Sequence, residues 1–463
     1  MSTDESIKNV TIKLGDLLND TDGASPAAKE PKVEKAEKQD SKEEATDENL
    51  INSTHTVQVK LADQQADPNS PLYSIKSFDD LGLAPELLKG IYNMKFNKPS
   101  KIQERALPLL LQNPPRNLIG QSQSGTGKTA AFVLTMLSRV DKSIPAPQAL
   151  CLAPSRELAR QIMDVVELMG KFSDITTSIV VKDSWSRDRP ITGQVVVGTP
   201  GSVFDVMRRK LLPVKNIKTF VLDEADNMLD QGGLGDQTFR IQGLVPKNAQ
   251  SVLFSATFPD HVRRFAERFA RNANEISLKR EELSVDSIKQ FYVDCDSEQH
   301  KYEVLVNLYD LLTVSQSIIF CKQRNTADNI ATRMTDQGHS VVALHGQMAP
   351  DERDKVMDDF RRGEFKVLIT TNVIARGIDI MQVSLVVNYD LPLDKSGYPD
   401  YEAYLHRIGR TGRFGRTGVS INFVHDRESW EKMTMIEEHF HRNIERIPTD
   451  NWEEVEQKLK KVL

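Results

Sequence analysis

From residue 75 onward, short apolar runs ending in polar or Gly-containing turns alternate with stretches of helical character. The runs lie at 117–120, 149–154, 178–181, 194–199, 219–223 and 251–255, and again at 316–321, 340–345, 366–371, 385–389 and 418–424. Strands that are apolar throughout, with helices between them, need cover on both faces, and that is the pattern of parallel sheets. Two such sets, separated by a polar segment at 280–287, predict two α/β domains in tandem over 75–280 and 288–463. At roughly 100–200 residues per domain, a chain of 463 residues accommodates both and leaves a leader.

Charge separates the leader from that body. The chain carries 60 Lys+Arg and 66 Asp+Glu, a formal net charge of −6. The first fifty residues hold 13 of the acidic and 7 of the basic side chains, leaving 53 of each sign elsewhere. A uniformly basic nucleic-acid binder and a uniformly acidic disordered chain are both excluded. No aromatic precedes Tyr73, and residues 27–49 are mostly Lys, Glu, Asp, Ala and Ser. Such a composition buries too little apolar surface to offset ordering entropy, so residues 1–74 are expected to be a disordered acidic extension. Val10, Ile12, Leu14, Leu17 and Leu18 could form a small amphipathic segment there, and residues 57–61 either fold back on the first domain or stay linker.

Cys151, Cys295 and Cys321 stand far apart without a C-x-x-C pair, which gives neither a disulfide framework nor a zinc site. The N-terminus lacks an apolar signal-peptide core, and no apolar run nears the ~20 residues of a membrane span. A soluble intracellular protein is expected. At the other end, Trp452, Val455, Leu459 and Val462 recur at helical spacing and read as packing.

The strongest chemical signal is Gly120-Gln-Ser-Gln-Ser-Gly125-Thr-Gly127-Lys128-Thr129, which follows an apolar strand and opens a helix over 130–139. Strand, loop and helix are the context of a phosphate loop, whose backbone N–H groups converge on phosphate oxygens at a helix N-terminus. Ser122, Gln123, Ser124, Gly125, Thr126 and Gly127 would form the cradle. Lys128 would reach the β- and γ-phosphates, and Thr129 would offer its hydroxyl to Mg²⁺. Ser122 replaces a usual Gly with another small residue. A hundred residues on, Asp223-Glu224-Ala-Asp226 closes an apolar strand. Asp223 is placed to hold Mg²⁺ through water, and Glu224 to polarise an attacking water. The second domain has no phosphate loop but carries His406-Arg407-Ile-Gly409-Arg410-Thr-Gly412-Arg413. These arginines either cover the γ-phosphate in cis or form a basic nucleic-acid surface.

Taken in order, these motifs and their neighbours resemble the DEAD-box family of ATP-dependent RNA helicases over nearly all of residues 75–463. Lys95-Phe96-Asn-Lys-Pro99-Ser-Lys-Ile102-Gln103 is similar to the Q motif, placed at 77–105 with Phe78 as its upstream aromatic. Pro154-Ser155-Arg156-Glu157, Thr199-Pro200-Gly201, Ser255-Ala256-Thr257, the 318–322 run and Thr370 through Asp379 follow in family order. The resemblance implies two tandem RecA-like parallel-sheet domains and an RNA-stimulated ATPase that remodels RNA or RNA–protein complexes. It implies that ATP and Mg²⁺ are the cofactors. Gln103 would read the adenine edge, with Phe96 as a stacking platform. Gly377 and Asp379 would meet the ribose. Ser255 and Thr257 would couple nucleotide state to closure, and Arg410 and Arg413 would be arginine fingers. Pro154, Arg156, Thr199, Gly201, Thr370 and Arg376 would line a sequence-independent, salt-sensitive RNA path.

Departures narrow the branch. The segment 180–185 lacks the Gly-Gly pair that most members carry, and Pro350 stands where Gln is usual. Segments 60–73, 113–117, 226–237 and 447–463 are similar to the fungal branch that serves mRNA export at the cytoplasmic face of the nuclear pore. That likeness implies a monomer found in cytoplasm and nucleus and enriched at the pore, without membrane insertion. Its partners would be mRNA, a nucleoporin and an inositol-phosphate-dependent activator. Residues 60–73, next to the Q motif, either lodge between the domains when RNA is absent and inhibit turnover or serve as a passive linker. A nucleotide-dependent RNA clamp would use the same residues.

Overall fold

The computed structural model describes residues 57–61, 74–122, 125–230, 233–278, 288–312, 315–372, 383–412, 417–449 and 451–460. The expected disordered leader apart from 57–61 and 74, its amphipathic segment, most of the 60–73 stretch and the 280–287 connection lie outside them. At 57–60 the chain is an ordered strand instead, because it pairs with the sheet edge. Fifteen strands are described. The first eight are β1 (Val57–Lys60), β2 (Leu118–Gln121), β3 (Ala149–Leu152), β4 (Thr177–Val180), β5 (Val195–Gly198), β6 (Thr219–Leu222), β7 (Gln250–Ser255) and β8 (Asn274–Leu278). They form one sheet in the order β1-β8-β2-β7-β6-β3-β5-β4, parallel except for β1 against β8. The rest are β9 (Ile288–Asp294), β10 (Gln316–Phe320), β11 (Val341–Leu344), β12 (Val367–Thr370), β13 (Val383–Asn388), β14 (Gly418–Val424) and β15 (Glu445–Ile447). They form a second, wholly parallel sheet, β11-β12-β10-β13-β14-β9-β15.

Each apolar run expected to be a strand is one, within a residue or two at its ends. Four strands were not anticipated from that pattern: β8, β9, β15 and β1, the last read only as a segment that folds back or stays linker. In β9 and β8 polar residues such as Lys289, Gln290, Glu275 and Ser277 interrupt the apolar run, so neither reads as fully buried. Val57–Lys60 pairs with β8, with Val59 opposite Ile276, which resolves the fold-back alternative for those four residues.

Helices cover both faces, as fully buried strands demand. The helix Arg156–Gly170 places Leu158, Ile162, Val166 and Met169 on its buried side, and the Ser155 hydroxyl caps it by accepting from the Leu158 N–H at 3.2 Å. At Gly120 a Cβ would lie 2.3 Å from the Phe254 ring, so a larger residue does not fit beside β7 without displacing it. In the second lobe the helix Pro350–Arg361 starts with Pro350 at its first turn, where a missing N–H costs nothing. The C-terminal helix Trp452–Lys460 buries Val455 and Leu459 against the second core, as its spacing predicts. No helix among the described residues is long and apolar enough to cross a membrane.

Candidate active site and nucleic-acid path

The phosphate loop is held from below by the helix Lys101–Leu111. Ser100 and Gln103 cap that helix reciprocally: the Gln103 side chain accepts from the Ser100 N–H at 2.9 Å, and the Ser100 hydroxyl accepts from the Gln103 N–H at 3.4 Å. The same two side chains then reach the loop. The Ser100 hydroxyl donates to the Thr126 carbonyl at 2.7 Å, and the Gln103 amide donates to the Gly127 carbonyl at 2.9 Å. Gly127 sits at φ +95° and a Cβ there would lie 2.5 Å from the Gln103 nitrogen, so both conformation and space require glycine. Gly125, at φ +82°, completes the turn, and the Ser122 and Thr126 hydroxyls meet across it. Gln123 and Ser124 lie outside the described residues. Phe78 is a core residue, buried under this helix, while Phe96 is half-buried at the core's margin.

At the end of β6 the acids meet the loop's lysine. Lys128 and Asp223 are both buried, with Nζ 3.5 Å from Oδ1. Burial pushes the Asp223 carboxyl up to about 6, against partial relief from Lys128. Glu224 has φ +53°, a left-handed conformation that costs a residue of its kind of order 1–3 kcal/mol. Its N–H donates to the Asp223 carboxylate at 3.0 Å, and its own carboxylate accepts from the Asn227 amide at 3.4 Å. The strained residue is thereby aimed by its neighbours.

Asp226, fully buried, ties this acid segment to the Ser255-Ala256-Thr257 motif. Its N–H donates to the Ser255 hydroxyl at 3.1 Å, and its carboxylate accepts from the Thr257 N–H and hydroxyl at 3.0 and 2.9 Å. From the second lobe, His406 Nε2 stands 3.5 Å from the same carboxylate. Arg410 is buried one turn further on, its Nε donating to the His406 carbonyl at 2.9 Å. Arg407 is buried completely and binds Asn372, Asn388 and the Asp390 carbonyl. Arg413, Arg376, Gly377 and Asp379 lie outside the described residues.

Of the expected RNA contacts, Thr199 and Gly201 stand at the accessible N-terminus of the helix Pro200–Arg208, and Pro154 is buried at the end of β3. Thr370 is fully buried, its hydroxyl donating to the Leu344 carbonyl at 2.7 Å. Arg156 is engaged with the other lobe. Its Nε lies 3.1 Å from both Asp354 oxygens and its Nη2 2.6 Å from one, a bidentate pair that raises the guanidinium pKa further. Arg160 joins the same carboxylate at 2.6 Å, Arg353 reaches back to Glu157 at 2.5 Å, and Arg361 bonds Gln161 at 3.4 Å. Helices Arg156–Gly170 and Pro350–Arg361 thus meet along an ionic seam between the lobes. Sequence reasoning missed Glu157, Arg160, Asp354 and Arg361 as functional residues. The available signal was opposite charges at helical spacing on the two helices.

Residues 100–265 match the model of the DEAD/DEAH box helicase, and residues 300–415 match the helicase conserved C-terminal domain. The chain belongs to the DEAD/DEAH box helicase family. It is 62% identical over 461 residues to the ATP-dependent RNA helicase dbp5 of Schizosaccharomyces pombe, covering 99% of this chain and 92% of that protein. To the Candida glabrata DBP5 it is 58% identical over 469 residues, with 100% and 92% covered. Among solved structures, S. cerevisiae Dbp5 bound to RNA and ADP BeF3 superposes with a TM-score of 0.81 at 59% identity, over 84% of this chain and 100% of that one. A variant of the same protein bound to Nup159, a Gle1 variant, IP6 and ADP gives 0.61 at 57% identity, over 82% and 99%. As a family member the chain is an ATP-hydrolysing enzyme that binds nucleotide.

Proposed function

We propose that this chain is an ATP-dependent RNA helicase, an RNA-stimulated ATPase that remodels RNA–protein complexes. The observation that carries the reading is the strained Glu224 beside Asp223 and Lys128, with His406 brought to the same acid segment from the other lobe and Arg410 bonded to its carbonyl one turn on. In this reading Lys128 and the loop amides hold the β- and γ-phosphates, and Glu224 orients and accepts a proton from the attacking water. Arg410, with Arg413, covers the charge that develops on the γ-phosphate. Gln103 and Phe96 hold the adenine, and Gly377 with Asp379 the ribose. Ser255 and Thr257, through Asp226, report the state of the site to the lobe interface. Thr199 and Gly201, together with Pro154, Arg156, Thr370 and Arg376, line the RNA path.

Mg²⁺ fits the residues present. Asp223 is a buried carboxylate short of positive charge, and Thr129 stands on the adjoining first helical turn. Among the described residues no cluster of three or more His, Cys, Asp or Glu could hold a metal alone, which suits an ion bound mainly by waters and phosphates. When bound, such an ion neutralises phosphate charge. Asp223 would hold it through its carboxylate and Thr129 would supply a hydroxyl.

Domain limits of 75–280 and 288–463 are supported by the two sheets, with β1 joining the first from outside that range. The likeness to Dbp5 supports a place in mRNA export, with a nucleoporin and an inositol-phosphate-bound activator as partners. It also supports residence in cytoplasm and nucleus, concentrated at the cytoplasmic face of the pore. The deciding experiment measures ATP turnover of the full chain with and without RNA, beside Glu224→Gln. RNA should accelerate the natural chain, while the variant binds both ligands and fails to turn over. Undiminished hydrolysis by the variant overturns the mechanism, and indifference to RNA overturns the substrate.

A further inference from the structure

Between β4 and β5 the chain makes an exposed loop in which Lys182, Asp183, Ser184, Ser186, Arg187, Asp188 and Arg189 are all at the surface. One large aromatic, Trp185, stands among them. Its ring is half-buried, packed on one side against the apolar cluster that holds Val180 and Ile191. On the other side lies a groove of about 310 Å³, walled by Trp185, Lys182 and Arg187 and by the first turn of the helix Pro200–Arg208, which contributes Gly201 and Ser202.

The loop is shaped in advance. The Ser184 hydroxyl accepts from the Val181 N–H at 2.9 Å and donates to the carbonyls of Ile179 or Val181 at 3.1 and 3.0 Å. Asp183 adopts φ +65°, a left-handed conformation that Asp tolerates better than most residues. Arg156 donates to the Lys182 carbonyl from the ionic seam. Gly201 leaves the opposite wall low. Its backbone does not require glycine, and an added Cβ would meet only the Gln237 oxygen at 3.4 Å.

The charges favour an anionic occupant. Asp205, also in the wall, is already paired with Arg208 and Arg209, each at 3.0 Å. That leaves Lys182 and Arg187 against Asp183 alone. An aromatic face beside two cations, continuous with Thr199 and Gly201, suits a nucleobase and its flanking phosphates better than a peptide.

We propose that Trp185 stacks on a base of the single strand at the Gly201 end of the RNA path, with Lys182 and Arg187 on the adjoining phosphates. The inference rests on the RNA-helicase reading and adds a base contact to a path otherwise built on sugar and phosphate. Binding of a short single-stranded RNA to the full chain with a non-hydrolysable ATP analogue tests it, using natural protein, Trp185→Ala and Trp185→Phe. One base–aromatic stack is worth roughly 5- to 150-fold in affinity. Trp185→Ala should lose that factor and Trp185→Phe should stay within about threefold of the natural chain. On the natural protein, an oligonucleotide made abasic at one position in turn should lose the same factor at a single position, and Trp185→Ala should be indifferent to that lesion. Equal affinity of the Ala variant, or a natural protein blind to every abasic position, overturns the stack and returns the groove to a protein partner. Should Trp185→Ala fail to fold, the Phe variant and the abasic scan decide. Failure of the RNA reading itself would appear earlier, as no RNA binding by the natural chain.

Discussion

The polar groups at the strand ends of the two sheets have opposite fates. In the second lobe they are consumed internally. Asn388 bonds Asn422 at 2.8 Å and receives Arg407 at 3.1 Å, Lys301 pairs with Asp390 at 2.9 Å, and Thr370 bonds Leu344. In the first lobe Asp223 has one cation at 3.5 Å and a carboxyl lifted to about 6, and Glu224 sits in a strained backbone conformation. A buried polar group that is fully paired stabilises a fold, whereas one left short of its counter-charge is prepared for a ligand. The same architecture twice over therefore gives one sheet whose strand-end acids are short of counter-charge and one whose strand-end polar groups are paired.

The sharpest way to break this contrast is at Glu224. Glu224→Gln keeps the shape and removes the proposed base, and single-turnover hydrolysis should fall by about 10²–10⁴-fold while equilibrium nucleotide binding persists. In the second lobe Arg407→Ala should act on stability instead. It leaves the buried Asn388 amide oxygen and the Asp390 carbonyl without their donor and should cost about 3 kcal/mol in urea unfolding. Should Arg407→Ala leave stability intact, those groups are not structural and the contrast fails.

The seam joining the lobes gives a smaller effect. Asp354→Asn weakens the carboxylate that Arg156 and Arg160 share, so the gain in RNA affinity conferred by an ATP analogue should shrink by on the order of tenfold. An unchanged ratio of RNA affinities with and without the analogue would show that closure is coupled elsewhere. The smallest effect belongs to a helix start in the second lobe. Asp426 caps the helix Arg427–Phe440, accepting from the Ser429 N–H at 2.7 Å, and its carboxyl is held below the usual value by the Ser429 hydrogen bonds. Asp426→Ala should cost about 1 kcal/mol. Because the folded pKa is depressed, the natural residue's contribution is full above about pH 4 and fades as pH falls through the lower folded value. The Ala variant's stability curve should approach the natural one under acid, which thermal unfolding at stepped pH would record.

Much of the site was legible because its chemistry is local. Loop glycines, Lys128 and the acid pair at the end of β6 lie in consecutive residues, and their positions follow once the strands are placed. Phe78 and Thr370 show where local reading stops. Both belong to motif-like stretches, and the sequence does not show that both side chains are buried. Arg156 shows the same limit from the other direction, since its partner Asp354 is 198 residues away.

By itself the sequence determined the two parallel sheets, because runs that are apolar at every position can be buried only between two helical layers. It determined the phosphate loop and acid pair for the same kind of reason, as each is contiguous in the chain. Only the tertiary structure decided which charges meet across the lobes, which motif residues are buried, and that Trp185 faces a groove beside Gly201. Those outcomes depend on distances between segments far apart in the chain, which spacing along it does not encode.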